Sequence, residues 1–463
     1  MSKPKAKSKR SPSLSLLPRL HPHAAGIDVG SEFHFVAVPP DRDEQPVRKF
    51  GAFTVDLQAL ADWLQQCGIK TIVMESTGIY WVALFELLET RGFEVLLVDP
   101  RRLKSVPGRK TDVVDCQWLQ QLHTYGLLSG AFRPAEQVCV LRSYMRQREM
   151  LVQQAAQHIQ HMQKALHQMN VKLDKVVSSL TGVTGMSILW AILDGERNPV
   201  VLAQWRDPRC QNSEETFAKA LQGNWRDEHL FALRQAVALY DVYQQQIAEC
   251  DQRIEACLAG FEDKSREPTL PQEQEPTAPK KQRKKKRNEP GFEMREPLRR
   301  MAGVDLTQID GLEGHRVLKV ISEIGTDMSR WPTVKNFTSW LSLSPGNKRS
   351  GGRVLSGRTK PSANRAAAAL RMAVNGLQRS QSALGAFFRR MKARLGTPKA
   401  ITATAHKLAR LIYFTLKHGW AYVDKGAEWY ERQFQERLVK SLTKRAADLG
   451  FKLVPTTALG ESS

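Results

Sequence analysis

The sequence predicts an α/β domain followed by mostly helical ones, and three observations predict it. First, residues 24–98 alternate short β-prone runs with stretches of helical periodicity, the order of a mixed sheet carrying helices. Second, residues from about 135 to 170 and from 227 to 258 read as two long helices. In the first, Val138, Leu141, Met145, Val152, Ile159, Met162 and Leu166 recur at helical spacing among many Gln. Third, at 463 residues the chain exceeds the length at which one hydrophobic core keeps growing, so two or three units are expected.

Taken in order, residues 1–23 hold six Lys and Arg, no acid, and several Ser and Pro, the composition of a disordered basic arm. An α/β domain is expected over 24–130, with β-prone runs at 24–38, 47–54, 71–74 and 94–98 and helical patterns at 57–66 and 81–91. A helical region follows over 131–261, readable as an antiparallel coiled-coil arm or as an ordinary helical bundle. Residues 262–300, rich in Pro, Glu, Gln, Lys and Arg, bury too little apolar surface to fold and read as a charged linker. Its basic run from Lys280 to Arg287 reads as a phosphate-contacting patch rather than a nuclear-localisation signal. A C-terminal domain spans 301–425, and a helix with a tail occupies 426–463.

Two segments echo each other, Leu180-Thr181-Gly182-Val183-Thr184-Gly185 and Ile309-Asp310-Gly311-Leu312-Glu313-Gly314. Each has the form of a helix–hairpin–helix turn, whose glycines let the backbone approach a phosphate, and equally of a plain helix–helix turn.

The formal net charge of +22, with a pI near 9.8, favours a polyanionic partner. Its distribution sharpens the point: between Met328 and Val423 there is no Asp or Glu, while the same stretch carries eighteen Lys and Arg. The six cysteines form no CxxC pair, which predicts reduced thiols without zinc. No window approaches the ~18 apolar residues that span a bilayer, and the N-terminus lacks the apolar core of a signal peptide, so no membrane is expected and a bacterial cytoplasm, in association with the nucleoid, is the expected location.

Four acids stand out. Asp28 lies near the end of the apolar run Ala24-Ala25-Gly26-Ile27-Asp28-Val29-Gly30-Ser31, and Glu75 closes Thr71-Ile72-Val73-Met74-Glu75, so both occupy strand-end positions. In Lys110-Thr111-Asp112-Val113-Val114-Asp115 the two aspartates lie three apart and share a face if the segment is helical. Four hard oxygen donors suit one or two Mg²⁺ (or Mn²⁺) ions, which prefer carboxylate and water and bridge a scissile phosphate. The turn after Asp28 also fits the first phosphate-binding hairpin of the actin and sugar-kinase ATPases, a reading that needs a second Gly-rich phosphate loop. No convincing one follows.

From about Ala24 to Tyr422 these residues resemble the insertion sequence 110 family of transposases, including its relatives of the 1111 group. The resemblance implies a RuvC-like, RNase-H-fold domain bearing an Asp-Glu-Asp-Asp set, a coiled coil and a C-terminal transposase domain with a catalytic serine. Asp28, Glu75, Asp112 and Asp115 fall on that set, with the family's Lys-Thr-Asp-x-x-Asp ending. The C-terminal signature matches Leu341-Ser342-Leu343-Ser344-Pro345-Gly346-Asn347-Lys348-Arg349-Ser350-Gly351-Gly352-Arg353 and, later, Asn364 to Leu370-Arg371. Ser350 is thereby the carried-over nucleophile, with Ser344, Ser356 and Ser362 as alternatives. Ser342 stands where the family usually has Gly, and Ala363 where Gly usually precedes the Asn.

The resemblance implies strand exchange through a covalent phosphoserine, assisted by the metal that the four acids hold, on double-stranded DNA at element ends and target. It further implies a structured bridge RNA that selects the sequence. Lys348, Arg349, Arg353, Arg358, Lys360, Arg365 and Arg371 are the expected nucleic-acid-binding residues, and of these Lys348, Arg349 and Arg353, beside the serine, can stabilise a pentavalent phosphorane. An unaided serine is a poor nucleophile, so serine and acids are expected to act together, within or across the protomers of a dimer or tetramer. Two other readings compete: a RuvC-like metal-dependent structure-specific nuclease in which water attacks, and a non-catalytic nucleic-acid organiser.

Overall fold

The computed structural model describes residues 18–76, 78–99, 112–265, 288–419 and 424–454, without the side chains of residues 112, 113, 348, 349 and 354. Most of the expected basic arm, the run from Lys280 to Arg287 and the end of the C-terminal tail lie outside the described residues. The chain divides into two compact units, Met1–Arg133 and Pro134–Ser463.

The first unit is built on a five-stranded sheet. Its elements are β1 (Ala24–Val29), β2 (Phe33–Ala37), β3 (Val47–Gly51), α1 (Thr54–Gln66), β4 (Thr71–Glu75), α2 (Trp81–Thr90), β5 (Glu94–Val98) and α3 (Asp112–Thr124). The apolar run from 24 to 38 is two strands rather than one, because a tight turn closed by the Gly30 N–H donating to the Phe33 carbonyl at 3.1 Å folds it back on itself. Strand order is β3-β2-β1-β4-β5; β1 pairs antiparallel with β2 and parallel with β4, which pairs parallel with β5. An antiparallel hairpin and meander thus feed a parallel βαβαβ half.

Alternation along each strand assigns the two faces. Ala25, Ile27, Val29, Val36, Ile72 and Met74 point to one face, where they pack with Leu57, Leu60, Ala61 and Leu64 of α1 and Leu84, Phe85 and Leu88 of α2. These helical positions recur three and four apart, so each helix buries one stripe. The opposite face is smaller in its apolar content: Val73 and Val98 pack with Leu119 of α3. Asp28 and Glu75 alternate onto this second face.

Among the described residues, the regular structure of the second unit is helical apart from one hairpin. Two 33-residue helices, α4 (Glu136–Gln168) and α9 (Asp227–Ala259), run antiparallel, Gln137 reaching the Gly260 carbonyl at one end and His158 stacking on Tyr243 farther along. The short helices α5 (Leu173–Val176), α6 (Val183–Leu193), α7 (Pro199–Gln204) and α8 (Glu214–Ala220) connect them and share their core through Ile188, Leu189, Leu202 and Phe217. A buried pair, Arg148 with Asp251, joins α4 to α9, and its spare hydrogen-bonding capacity binds the returning chain: Arg148 donates to the Asn288 carbonyl and the Gly291 N–H donates to Asp251.

From there the chain forms α10 (Arg295–Ala302), α11 (Gly314–Ile324), α12 (Val334–Trp340), the hairpin β6 (Lys348–Ser350) and β7 (Arg353–Ser356), α13 (Arg365–Val374), α14 (Ala383–Leu395), α15 (Thr397–His418) and α16 (Gly426–Asp448). The expected 262–300 linker thus includes the start of a packed helix, α10, whose Leu298 and, three residues on, Met301 are buried. Both helix–hairpin–helix-like turns have internal reasons for their glycines. At Gly311, whose φ is 85°, a Cβ would stand 2.9 Å from the Ala373 carbonyl oxygen at the end of α13. At Gly185 it would stand 2.2 Å from the Leu180 carbonyl oxygen. No helix among the described residues is long and apolar enough to cross a membrane.

Candidate active site

The register of β1 on β4 runs from Ala24 opposite Thr71 to Ile27 opposite Met74. The next residues are Asp28 and Glu75, so the two acids stand side by side at the carboxyl ends of adjacent parallel strands, their backbones roughly 5 Å apart. Both are half-buried. The end of β4 is pinned just beyond Glu75, where the Ser76 N–H and hydroxyl both donate to the Val98 carbonyl at 3.0 Å.

Helix α3 crosses the same face at close range because β1 carries a glycine there. A Cβ on Gly26 would lie 2.3 Å from the Gln120 amide nitrogen and 2.4 Å from the Cys116 carbonyl oxygen. Gln120 donates to the Ala24 carbonyl at 3.4 Å, so passing along β1 from Ala24 to Asp28 one passes backward along α3 toward its first turn. That turn carries Asp112 and Asp115. The buried Cys116 thiol registers the neighbourhood: burial foremost, then the negative charges of Asp28 and Asp115, push its pKa up to about 12. Asp28 and Asp115 therefore lie within electrostatic reach of one sulfur. Asp112 opens α3, and its side chain lies outside the described residues.

Among the described side chains, no three His, Cys, Asp or Glu close into a ready metal cluster. What the fold does bring together is a pair of strand-end carboxylates with a helical aspartate near one of them. Hard oxygen donors at this spacing fit a divalent cation with several water ligands better than a closed all-protein cage. Sequence reasoning passed over Gly26, although a glycine within a strand is a signal of close backbone approach.

Ser350 ends β6 at the tip of the hairpin, opposite Arg353. Gly351 and Gly352 between them have φ of 54° and 75°, the two left-handed positions of a type I′ turn. The glycine pair is thus required by the turn itself, and Cβ atoms on either would meet nothing within 4 Å, so the turn is also open on its outer side. The hairpin base is tied by the Gly346 N–H donating to the Arg358 carbonyl at 2.9 Å. Ser350 is exposed.

The three other serines have local partners. Ser344 donates to Thr338 Oγ1 at 2.9 Å, Ser356 accepts from the Arg358 N–H at 3.3 Å, and Ser362 accepts from the Asn364 N–H at 3.0 Å. Asn364 in turn caps α13, its side chain accepting from the Ala367 N–H.

Of the basic residues, Arg353, Arg358 and Lys360 are exposed around the hairpin, Arg371 is half-buried on α13, and the side chains of Lys348 and Arg349 lie outside the described residues. Arg365 is already engaged: it pairs at 3.1 Å with Glu149 of α4, which also holds Lys319 of α11 at 2.8 Å.

No curated protein matches this chain. Two family models do: one described as a transposase, of the Asp-Glu-Asp-Asp type of IS110, over residues 25–171, and one described as transposase IS116/IS110/IS902 family over residues 305–389. The first takes in all four acids and the second takes in the serine hairpin. With both halves of the family's pattern matched in the family's order, the chain belongs to the IS110 family of transposases, enzymes that rearrange DNA.

Proposed function

We propose that the chain cuts and rejoins DNA strands at the ends of an insertion sequence through a serine-linked intermediate. In this reading Ser350 Oγ attacks a DNA phosphorus, a bond forms between them, and the bond from phosphorus to one sugar oxygen breaks. The hydroxyl of a second strand then attacks the same phosphorus and releases the serine. Each step exchanges one phosphodiester or phosphoserine ester for another, so no high-energy cofactor is consumed. Lys348, Arg349 and Arg353 neutralise charge on the crowded phosphorus; Arg358, Lys360, Arg365 and Arg371 would contact flanking phosphates, Arg365 by giving up its pair with Glu149.

Asp28, Glu75, Asp112 and Asp115 would hold Mg²⁺ or Mn²⁺, which supplies Lewis-acid stabilisation and a lowered hydroxyl pKa when bound. The observation that carries this reading is the side-by-side placement of Asp28 and Glu75 at the carboxyl ends of β1 and β4. An antiparallel hairpin and meander joined to a parallel βαβαβ half, with α3 packed on the acid-bearing face, is also what an RNase-H or RuvC-like domain requires. The antiparallel pair α4 and α9 serves as the coiled-coil arm. A bridge RNA that pairs with donor and target DNA, and assembly as a dimer or tetramer, complete the proposal.

The test is covalent trapping. Protein co-expressed with its flanking non-coding DNA is mixed with labelled junction DNA and Mg²⁺, then denatured. A labelled protein band that is lost in both Ser350→Ala and Asp112→Ala is the expected result. Cleavage without such a band, indifferent to Ser350→Ala, would replace this reading with that of a nuclease in which a metal-activated water attacks.

A further inference from the structure

The face of the sheet that bears the acids continues beyond them onto β2 and β3, and what stands there is unusual for an edge. The registers place Asp28 opposite Phe35 and Phe35 opposite Lys49, so Lys49, Phe35, Asp28 and Glu75 form one row across four strands, all on one face. With strands about 4.8 Å apart, the Lys49 and Asp28 backbones are separated by roughly 10 Å.

Lys49 Nζ does not turn away into solvent. It lies 3.5 Å from the centroid of the Phe33 ring and 5.8 Å from that of Phe35. Phe33 begins β2, past the end of β1, so the ammonium leans toward the end of the sheet at which Asp28 and Glu75 stand. Phe33 is 43 % exposed. A lysine on an edge strand discourages pairing with another chain, which would account for Lys49 alone. It does not account for a partly exposed aromatic ring held beneath the ammonium.

We infer that Phe33 and Lys49 form a rest for the DNA strand that enters the acid site, an inference that depends on the acids being the site of strand cleavage. A base flanking the cleaved bond stacks on Phe33, and its phosphate is held by Lys49. A partly exposed aromatic ring with an ammonium seated over one face, leaving the opposite face for a base, is a pairing that holds single-stranded nucleic acid without reading its sequence. The spacing of the row sets the held nucleotide one or two positions from the phosphate at Asp28.

Photo-cross-linking tests this with the full chain and junction DNA carrying 5-iododeoxyuridine at successive positions around the cleaved bond. The expected adduct maps to Phe33 and disappears in Phe33→Ala. In single-strand binding, Phe33→Ala weakens affinity about tenfold while Phe33→Tyr retains it. Lys49→Gln lowers the slope of log affinity against log salt by about 0.7, and Lys49→Arg keeps it. Adducts confined to other segments, wild-type binding by Phe33→Ala and Lys49→Gln, or cross-linking of this surface to iodouridine RNA but not to DNA would each overturn the inference. Asp28→Asn separates the two readings. If it still cleaves, the acid site fails as proposed; if it is inactive yet both platform variants behave as wild type, the platform alone fails.

Discussion

At position 342 a serine holds a backbone conformation that glycine adopts without cost. Ser342 has φ of 54° at the end of α12, where its N–H donates to the Ser339 carbonyl and the following Leu343 N–H to that of Thr338. This is the paired closure of a helix by a left-handed residue, and it explains why glycine is usual there in the family. Ser342→Gly should therefore stabilise the C-terminal unit by about 1 kcal/mol, read as a raised urea midpoint at unchanged slope. A second residue carries a pH signature. His123 is buried, bonded to Thr71 Oγ1 at 2.8 Å and stacked on His21, and burial foremost, with the charge of His21, lowers its pKa to about 4. Between pH 6.5 and 4 the unfolded chain takes up a proton there and the folded chain does not, so stability is full above this window and falls as pH drops through it. The loss approaches about 3 kcal/mol at the acid end. His123→Gln should flatten that acid limb in thermal melts from pH 7 to pH 4.

Elements decide how such residues meet, and here the sequence was legible in part. Strand-end positions for Asp28 and Glu75 followed from apolar runs with an acid at or near their end, and the three-residue spacing of Asp112 and Asp115 announced a shared helical face. The juxtaposition of β1 with β4 did not follow, since parallel register is set by contacts distant in sequence. Nor did the passage of α3 over Gly26, which needs knowledge of which helix covers which face. The glycine pair after Ser350 is determined by the type I′ turn, a local signal legible in those two residues alone. Gly26→Ala tests the element-level account. Its methyl would collide with backbone atoms of α3 that cannot swing aside, so α3 must lift from the sheet and carry Asp115 away from Asp28. A stability loss of about 3 kcal/mol is expected. Strand cleavage should fall at least tenfold at a temperature where the variant is still folded by circular dichroism. Cleavage unchanged in a destabilised but folded Gly26→Ala protein would detach α3 from the chemistry.

On the scale of the whole molecule, charge and chemistry are apportioned differently. The acids reside in the first unit, whereas the acid-free stretch from 328 to 423 and the serine hairpin reside in the second. Within the second unit the hairpin's neighbourhood is fastened to the long helices. Arg146 of α4 pairs with Glu323 of α11, and Glu149 of α4 holds both Lys319 of α11 and Arg365 at the start of α13. Composition foretold the polyanionic partner but could not say that one cation of the expected DNA-binding set would be spent on an internal carboxylate. Because serine and acids belong to separate units, a reaction that uses both can draw them from one copy of the chain or from two. Mixing distinguishes these. Ser350→Ala and Asp28→Asn proteins, each inactive alone, are combined in equal amounts with junction DNA after subunit exchange. If the serine of one copy works with the acids of another, the mixture should regain about a quarter to a half of wild-type strand exchange, because mixed assemblies then contain intact pairs. Activity that stays at the level of the separate variants would mean that each chain supplies both halves of its own reaction.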